Sequence, residues 1–175
     1  MNFTIVPDWQ SKSALNTLLH APLSGNSAFI TYSDTLFGKN LVDKLPIGGN
    51  EVIVVVDSLW KKRFRDRTQK DIANAETIIL SNEEVEFTGL FYLNEQSLDV
   101  LRNMQKNNDE ESVGNNFQDI FNFLEFKGIK INYVDVLGDW AEFNSTQDIT
   151  NFILGTKADT LSRLENIVRE SHIGA

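Results

Sequence analysis

The chain has 175 residues, of which 41% are hydrophobic and 23% are charged, and this is enough apolar material for one folded domain with a core. Its net charge of −9 argues against a nucleic-acid-binding surface, which needs a basic stripe. The absence of cysteine excludes disulfides and thiol catalysis, and the presence of only two histidines argues against a Ser-His-Asp relay or a multi-histidine metal site. No stretch approaches the roughly 20 apolar residues of a membrane span and the N-terminus lacks a signal pattern, so we expect a cytoplasmic protein that contacts neither nucleic acid nor membrane.

The first part of the chain alternates short apolar runs with turns. We predict strands over residues 3–6 and 28–32, a helix over 13–20 that ends before Pro22, and a short helix over 41–45.

The run 51–57 is the clearest strand in the sequence. Its β-branched residues show no polar alternation, which is typical of a central strand covered on both faces. The charged segment 60–72 that follows is predicted to be a loop.

The second part of the chain continues the alternation of strands and helices. We predict strands over 77–80, 87–93 and 129–136, and helices through 98–104 and over 117–126 and 145–154. This order predicts an α/β domain over residues 1–154, layered around a mostly parallel sheet, and a further helix within 155–175.

Two acidic segments follow apolar strands at opposite ends of the domain. Ser33 and Asp34 follow the strand at 28–32, and the segment 138–144 follows the strand at 129–136. A carboxylate at the C-terminal tip of a strand is how open α/β sheets present a metal ligand to a phosphate-bearing substrate. An aspartate at this position also commonly caps a turn, so both interpretations of Asp34 stay open.

Four segments in a fixed order resemble a known enzyme family. They are YSDTLF (32–37), VVVDSLW (54–60) with Arg63 and Arg67 after it, EFTGL (86–90) and GDWAEFNSTQD (138–148). The series resembles the MobA-like and sugar-phosphate nucleotidyltransferases, and is most similar to the cytidylyltransferases associated with phosphoenolpyruvate mutase, which activate phosphonates or phosphocholine. The resemblance implies a Rossmann-like nucleotidyltransferase fold over most of residues 1–154.

The resemblance also implies a reaction and a cofactor. In that family a phosphate or phosphonate oxygen attacks the α-phosphate of a nucleoside triphosphate, often CTP, and pyrophosphate leaves. Mg²⁺ neutralises charge and positions the reactants. Asp34 matches the first metal-binding aspartate, and Asn144 falls where many relatives have a second one. Asp34 and Asn144 are therefore the expected catalytic and metal-binding residues, with Asn144 a weaker, neutral ligand.

Further positions are expected to bind the nucleotide or substrate. Gly89 matches a glycine whose backbone lies against the substrate, and Glu86 precedes it in the same motif. The complete expected set is Ser33, Asp57, Lys61, Arg63, Arg67, Glu86, Gly89 and Glu142. Alternatives stay open for several of them. Asp57 fits an ordinary turn after a strand, the basic cluster fits a solvated surface, and Glu142 faces either the site or solvent.

The sequence departs from the family at its start. The family's Gly-rich loop, which cradles the triphosphate, has no counterpart, and about 50 to 60 residues of a complete domain, or one and a half βαβ units, are missing. The resemblance therefore implies an N-terminally truncated domain, and three explanations stay open. A second copy or a partner chain completes the sheet, the sheet closes differently, or the chain is a fragment or a degenerate homologue. The alternative function is a catalytically inactive structural or interaction module of the same fold.

The tail has a second resemblance. Residues 155–161 look like the lead-in to an ATP-grasp domain similar to that of phosphoenolpyruvate synthase, so a further domain could follow the terminal helix.

Overall fold

The computed structural model describes residues 4–7, 13–38, 41–45, 48–64, 72–73, 75–107, 114, 116–144, 146, 148–150 and 152–153. The predicted terminal helix within 155–175 lies outside these residues, as does Arg67.

Helices and strands alternate through this part of the chain. In order they are α1 (Ala14–Leu19), β1 (Ala28–Ile30), β2 (Thr35–Phe37), α2 (Leu41–Lys44), β3 (Val52–Asp57), α3 (Trp60–Arg63), β4 (Thr77–Leu80), β5 (Glu83–Leu93), α4 (Glu95–Asn107), α5 (Phe117–Phe126), β6 (Ile131–Asp135) and β7 (Trp140–Glu142). Residues 148–150 and 152–153 are also helical, in agreement with the predicted helix there.

Three local predictions differ from the structure. Residues 4–6 form no strand, and Ile5 is 90% exposed. The segment predicted as a loop from residue 60 begins with helix α3, and strand β2 was not predicted at all. Elements of three or four residues are too short to show a hydrophobic period, so sequence patterns do not detect them.

Side-chain caps explain why two helices begin where the sequence predicts. The Ser13 hydroxyl accepts a hydrogen bond from the Asn16 amide at 3.2 Å and starts α1. Asn116 and Asp119 form a reciprocal capping box at the start of α5. None of the helices in the described part of the chain is long and apolar enough to cross a membrane.

The main sheet has five strands in the order β1-β5-β3-β6, and β4 pairs with β5 beside β1. Strand β5 is antiparallel to β1, β3 and β4, whereas β3 and β6 are parallel. Strands β1, β3, β4 and β6 therefore share one direction, as a mostly parallel sheet requires. Strand β5 lies between them and runs in the opposite direction. The prediction of mostly parallel pairing is thus wrong, since β3–β6 is the single parallel pair among the described strands.

The β4–β5 hairpin is the physical reason for this difference. Ser81 and Asn82 connect the two strands and both have positive φ, 49° and 71°. A two-residue turn with this twist joins adjacent antiparallel strands. The predicted strand begins at residue 87, four residues after the observed start of β5, so the turn that reverses the chain is absent from the prediction.

Strand β3 is buried on both faces, as predicted. Val52, Val54 and Val56 pack in a large core with side chains from α1, α4 and α5. Val55 points to the opposite face and packs in a smaller core with Trp140. The strand is therefore central in the domain, and the elements at its C-terminal end are fixed to a rigid support.

Candidate functional site

Asp34 and Asn144 lie at the same end of a second, two-stranded sheet formed by β2 and β7. The strands are antiparallel, with Thr35 opposite Glu142. The amide of Phe143 donates a hydrogen bond to the carbonyl oxygen of Asp34 at 2.9 Å. Asp34 and Phe143 are thereby neighbours across the two strands, and Asn144 is the next residue along the chain. The side chains of Asp34 and Asn144 are exposed to solvent, as is that of Ser33.

Tyr32 anchors the loop that carries Asp34. Its amide donates to the carbonyl oxygen of Gly89 at 3.2 Å, and its hydroxyl donates to Glu76 Oε2 at 2.7 Å. The Tyr32 ring lies so close over Gly89, which has a φ of +77°, that a side chain at that position would collide with it. The glycine backbone predicted to face a substrate is covered, on this side, by tyrosine.

The Tyr32 hydroxyl is hydrogen-bonded to one carboxyl group, that of Glu76, and is affected by the charges of two others. Burial raises the pKa of Tyr32 well above its ordinary value, and the charges of Glu76, Glu142 and Asp34 raise it further. Burial also raises the pKa of Glu76, the hydrogen bond from Tyr32 opposes that shift, and Glu142 adds to it. The region next to Asp34 is therefore negative, which favours a cation there.

Glu76 was not among the predicted site residues. A single glutamate before the short apolar run of β4 looks like an ordinary solvent-facing residue, and no spacing motif marks it. Only the long-range hydrogen bond with Tyr32 shows that Glu76 lies next to the loop of Asp34.

Asp57 does not belong to this exposed group. It is 1% exposed, and its Oδ1 accepts hydrogen bonds from the amides of Leu59 at 2.8 Å and Gly138 at 2.9 Å. Its Oδ2 accepts from Trp140 Nε1 at 2.9 Å. Both oxygens of Asp57 are thus hydrogen-bonded inside the protein, which agrees with its interpretation as a turn residue after a strand. Binding of nucleotide or substrate by Asp57 stays a prediction.

The remaining predicted binding residues are placed differently from one another. Glu142 is half-buried in β7 beside the acidic group, whereas Glu86 is 2% exposed inside the sheet. Lys61 Nζ lies 3.5 Å from Glu84 Oε2 at the β4–β5 hairpin, so its charge pairs there and not with the carboxyls around Tyr32. Arg63 ends α3, and the phosphate-binding role of the basic cluster stays a prediction.

The exposed side chains offer oxygen atoms of the kind that hard divalent cations bind. Among the described residues, no group of three or more His, Asp or Glu side chains could hold a metal by itself. Asp34 and Asn144 offer one carboxylate and one amide oxygen. Mg²⁺ keeps several waters and is commonly held by one or two carboxylates together with substrate phosphates. These two oxygen donors are compatible with a partly hydrated Mg²⁺ of this kind.

Comparisons with known proteins identify the fold. Neither a protein-family model nor a curated protein sequence matches the chain. Five chains of solved structures match it, among them the inositol-1-phosphate CTP transferase from T. maritima, with a TM-score of 0.51 and 13% sequence identity. The match covers 78% of this chain and 57% of that chain. The chain thus has a mixed α/β fold similar to that of a nucleotidyltransferase, and it spans little more than half the length of this relative.

Proposed function

We propose that the chain is a nucleotidyltransferase domain that transfers CMP from CTP, or the nucleotidyl group of another triphosphate, to a small phosphate or phosphonate. The observation that carries the proposal is the β2–β7 pairing, which puts Asp34 and Asn144 at one end of a sheet through the 2.9 Å bond from Phe143 to Asp34. Similarity of the fold to a solved CTP transferase supports it.

The reaction makes few covalent demands on the protein. An acceptor oxygen forms a bond to the α-phosphorus of the triphosphate, the bond from that phosphorus to the bridging oxygen breaks, and pyrophosphate leaves with the electron pair. Asp34 and Asn144 would hold Mg²⁺, which neutralises phosphate charge when bound. Tyr32 holds the backbone before Asp34 in place, and Glu142 adds negative charge that favours the cation.

Release of pyrophosphate tests this proposal. The chain should release it from Mg-CTP when a small phosphate or phosphonate acceptor is present. Asp34→Ala should reduce the rate by more than the about 10- to 100-fold that loss of a residue supporting a metal ligand costs. Asp43→Ala, which changes an exposed aspartate in α2, is the matched control and should retain the wild-type rate. Equal rates in the two variants would contradict the role of Asp34.

A second candidate is a non-catalytic interaction module. One observation favours it: among the described strands β1 is hydrogen-bonded to β5 alone, and Phe29 on it is 47% exposed. A strand edge of this kind can accept another strand, from a second copy or from a partner chain.

The mass of the protein in solution, measured by sedimentation, tests the pairing. We expect a dimer or larger species that is weakened by Phe29→Lys, because a charge on the edge strand opposes pairing. A monomer at high concentration would contradict pairing between copies. If the chain also released no pyrophosphate, a module that pairs with a different chain would be the favoured function.

A further inference from the structure

Polar contacts from one buried carboxylate fix the small β2–β7 sheet to the main sheet. No strand of one sheet is hydrogen-bonded as a ladder to a strand of the other within the described residues. Trp140, the first residue of β7, instead packs with Val55 and Leu90 of the main sheet in the smaller core. Its indole nitrogen reaches Asp57, the last residue of β3, at 2.9 Å.

Asp57 joins three separate pieces of backbone and side chain. It accepts from the Leu59 amide in its own turn, from the Gly138 amide in the β6–β7 turn and from the Trp140 indole. All three donors approach a carboxylate that is 1% exposed. Hydrogen bonds to a charged group in such surroundings are stronger than those between neutral groups.

Asp135 makes the reciprocal connection. Its Oδ1 accepts from the Ser58 amide in the β3–α3 turn at 3.1 Å and from the Leu137 amide at 2.9 Å. Burial alone would raise the pKa of Asp135, but hydrogen bonds from Ser58 and Leu137 lower it. This support matters at Leu137, a non-glycine residue with a φ of 52°, whereas Gly138 adopts its φ of 82° without steric cost.

Trp140 also contacts β2, the strand that follows Asp34. The indole stacks on Phe37 of β2, with ring centroids 6.2 Å apart and planes 16° apart. The Gly38 amide donates to the carbonyl oxygen of Asp139 at 2.9 Å. A continuous path of contacts therefore runs from Asp57 through Trp140 to β2.

We infer that Asp57 is a positioning residue: through Trp140 it sets the place of the β2–β7 sheet, and with it the spacing and orientation of Asp34 and Asn144. The consequence for catalysis rests on the proposed function, whereas the structural coupling does not.

Asparagine at position 57 is the sharpest probe. An amide has one oxygen and one NH₂ group, so in either orientation Asp57→Asn sets a donor against a donor: the Trp140 indole N–H or the amides of Leu59 and Gly138. Trp140→Phe removes the indole donor and keeps an aromatic ring against Phe37. Asp43→Asn makes the same chemical change at an exposed position and is the control.

The first measurement is the ¹H–¹⁵N NMR spectrum of each variant. We expect Asp57→Asn to shift the Trp140 indole N–H signal and the amide signals of Asp34, Phe143 and Asn144, and Asp43→Asn to leave them unchanged. The double variant Asp57→Asn/Trp140→Phe should shift the Asp34 and Asn144 amides less than the sum of the single changes, because it removes one clash. Unchanged Asp34 and Asn144 signals in both single variants would overturn the inference.

The second measurement is pyrophosphate release. Here Asp57→Asn and Trp140→Phe should lower kcat/KM by about 10- to 100-fold, the range seen when a group that orients a metal site is lost. If Asp57→Asn unfolds the chain, the inference is tested with Trp140→Phe, by the NMR signals of Asp34 and Asn144 and by pyrophosphate release. If the wild type releases no pyrophosphate, the proposed function fails and the NMR shifts still decide the coupling.

Discussion

Asp34 and Asn144 owe their proximity to backbone pairing, since β2 and β7 are antiparallel and the Phe143 amide binds the Asp34 carbonyl oxygen. Their side chains stay exposed, so they are available to a ligand. Asp57 and Glu86 are acidic as well, but both are buried: only 1% of Asp57 and 2% of Glu86 is exposed. At the scale of single residues, exposure separates the candidate ligands from the structural carboxylates.

Asn144→Asp tests whether position 144 contacts the metal. A second carboxylate should tighten the binding of Mg-CTP by at least about tenfold, because one more unit charge at contact distance is worth more than about 1.4 kcal/mol at a protein surface. Calorimetric titration measures this. Asp43 of α2 is an exposed carboxylate with no predicted role in metal binding, and Asp43→Asn should leave the affinity unchanged. Unaltered or weaker binding by Asn144→Asp would contradict metal contact at this position.

Glu76 should make stability depend on pH. Its pKa in the folded protein is raised from the ordinary 4.5, chiefly by burial. The folded state therefore holds the proton more tightly, so this contribution to stability is complete below pH 4.5 and is lost as pH rises through the folded pKa.

Glu76→Gln keeps an oxygen for the Tyr32 hydroxyl and removes the titration. The free energy of unfolding, measured in urea at several pH values, should rise for this variant relative to wild type as pH increases above 4.5. A difference that is constant with pH would contradict a raised pKa at Glu76.

At the scale of elements, the sequence predicts the helices and strands whose buried side chains recur in a clear hydrophobic pattern. Strand β3 shows its burial in an unbroken β-branched run, and α5 shows its period and its cap. Strands β2 and β7 have three residues each, and their pairing partner is more than 100 positions away. Only the resemblance to a family indicated that residues 34 and 144 belong together, because no local pattern contains that contact.

Gly89→Ala tests the packing of the Asp34 loop on β5. Gly89 and Gly128 both have left-handed backbone, with φ of +77° and +80°, but Gly89 faces the Tyr32 ring and Gly128 faces open space. Gly128→Ala should cost about 1 kcal/mol of unfolding free energy, the price of that conformation, and Gly89→Ala clearly more. Equal losses in urea denaturation would show that Tyr32 does not lie over Gly89.

At the scale of the whole molecule, four strands of the main sheet run in one direction and β5 runs against them. The C-terminal ends of β1, β3 and β6 therefore lie along one edge, where open α/β sheets bind ligands. The loop of Asp34 follows β1 at that edge, and Asp57 and Asp135 end the other two strands there. The order of motifs in the sequence indicated this edge. The sequence also predicts most of β5, as the strand at 87–93, but not the two-residue turn that makes β5 antiparallel to its neighbours.

Calorimetric titration of the chain with Mg-CTP tests the central claim most directly. The account predicts binding with a dissociation constant of about 1 mM or tighter, equivalent to about −4 kcal/mol, that Asp34→Ala abolishes and Asp43→Ala leaves intact. Absence of binding to the wild type, or equal binding by Asp34→Ala, would contradict a nucleotide–metal site at Asp34 and Asn144.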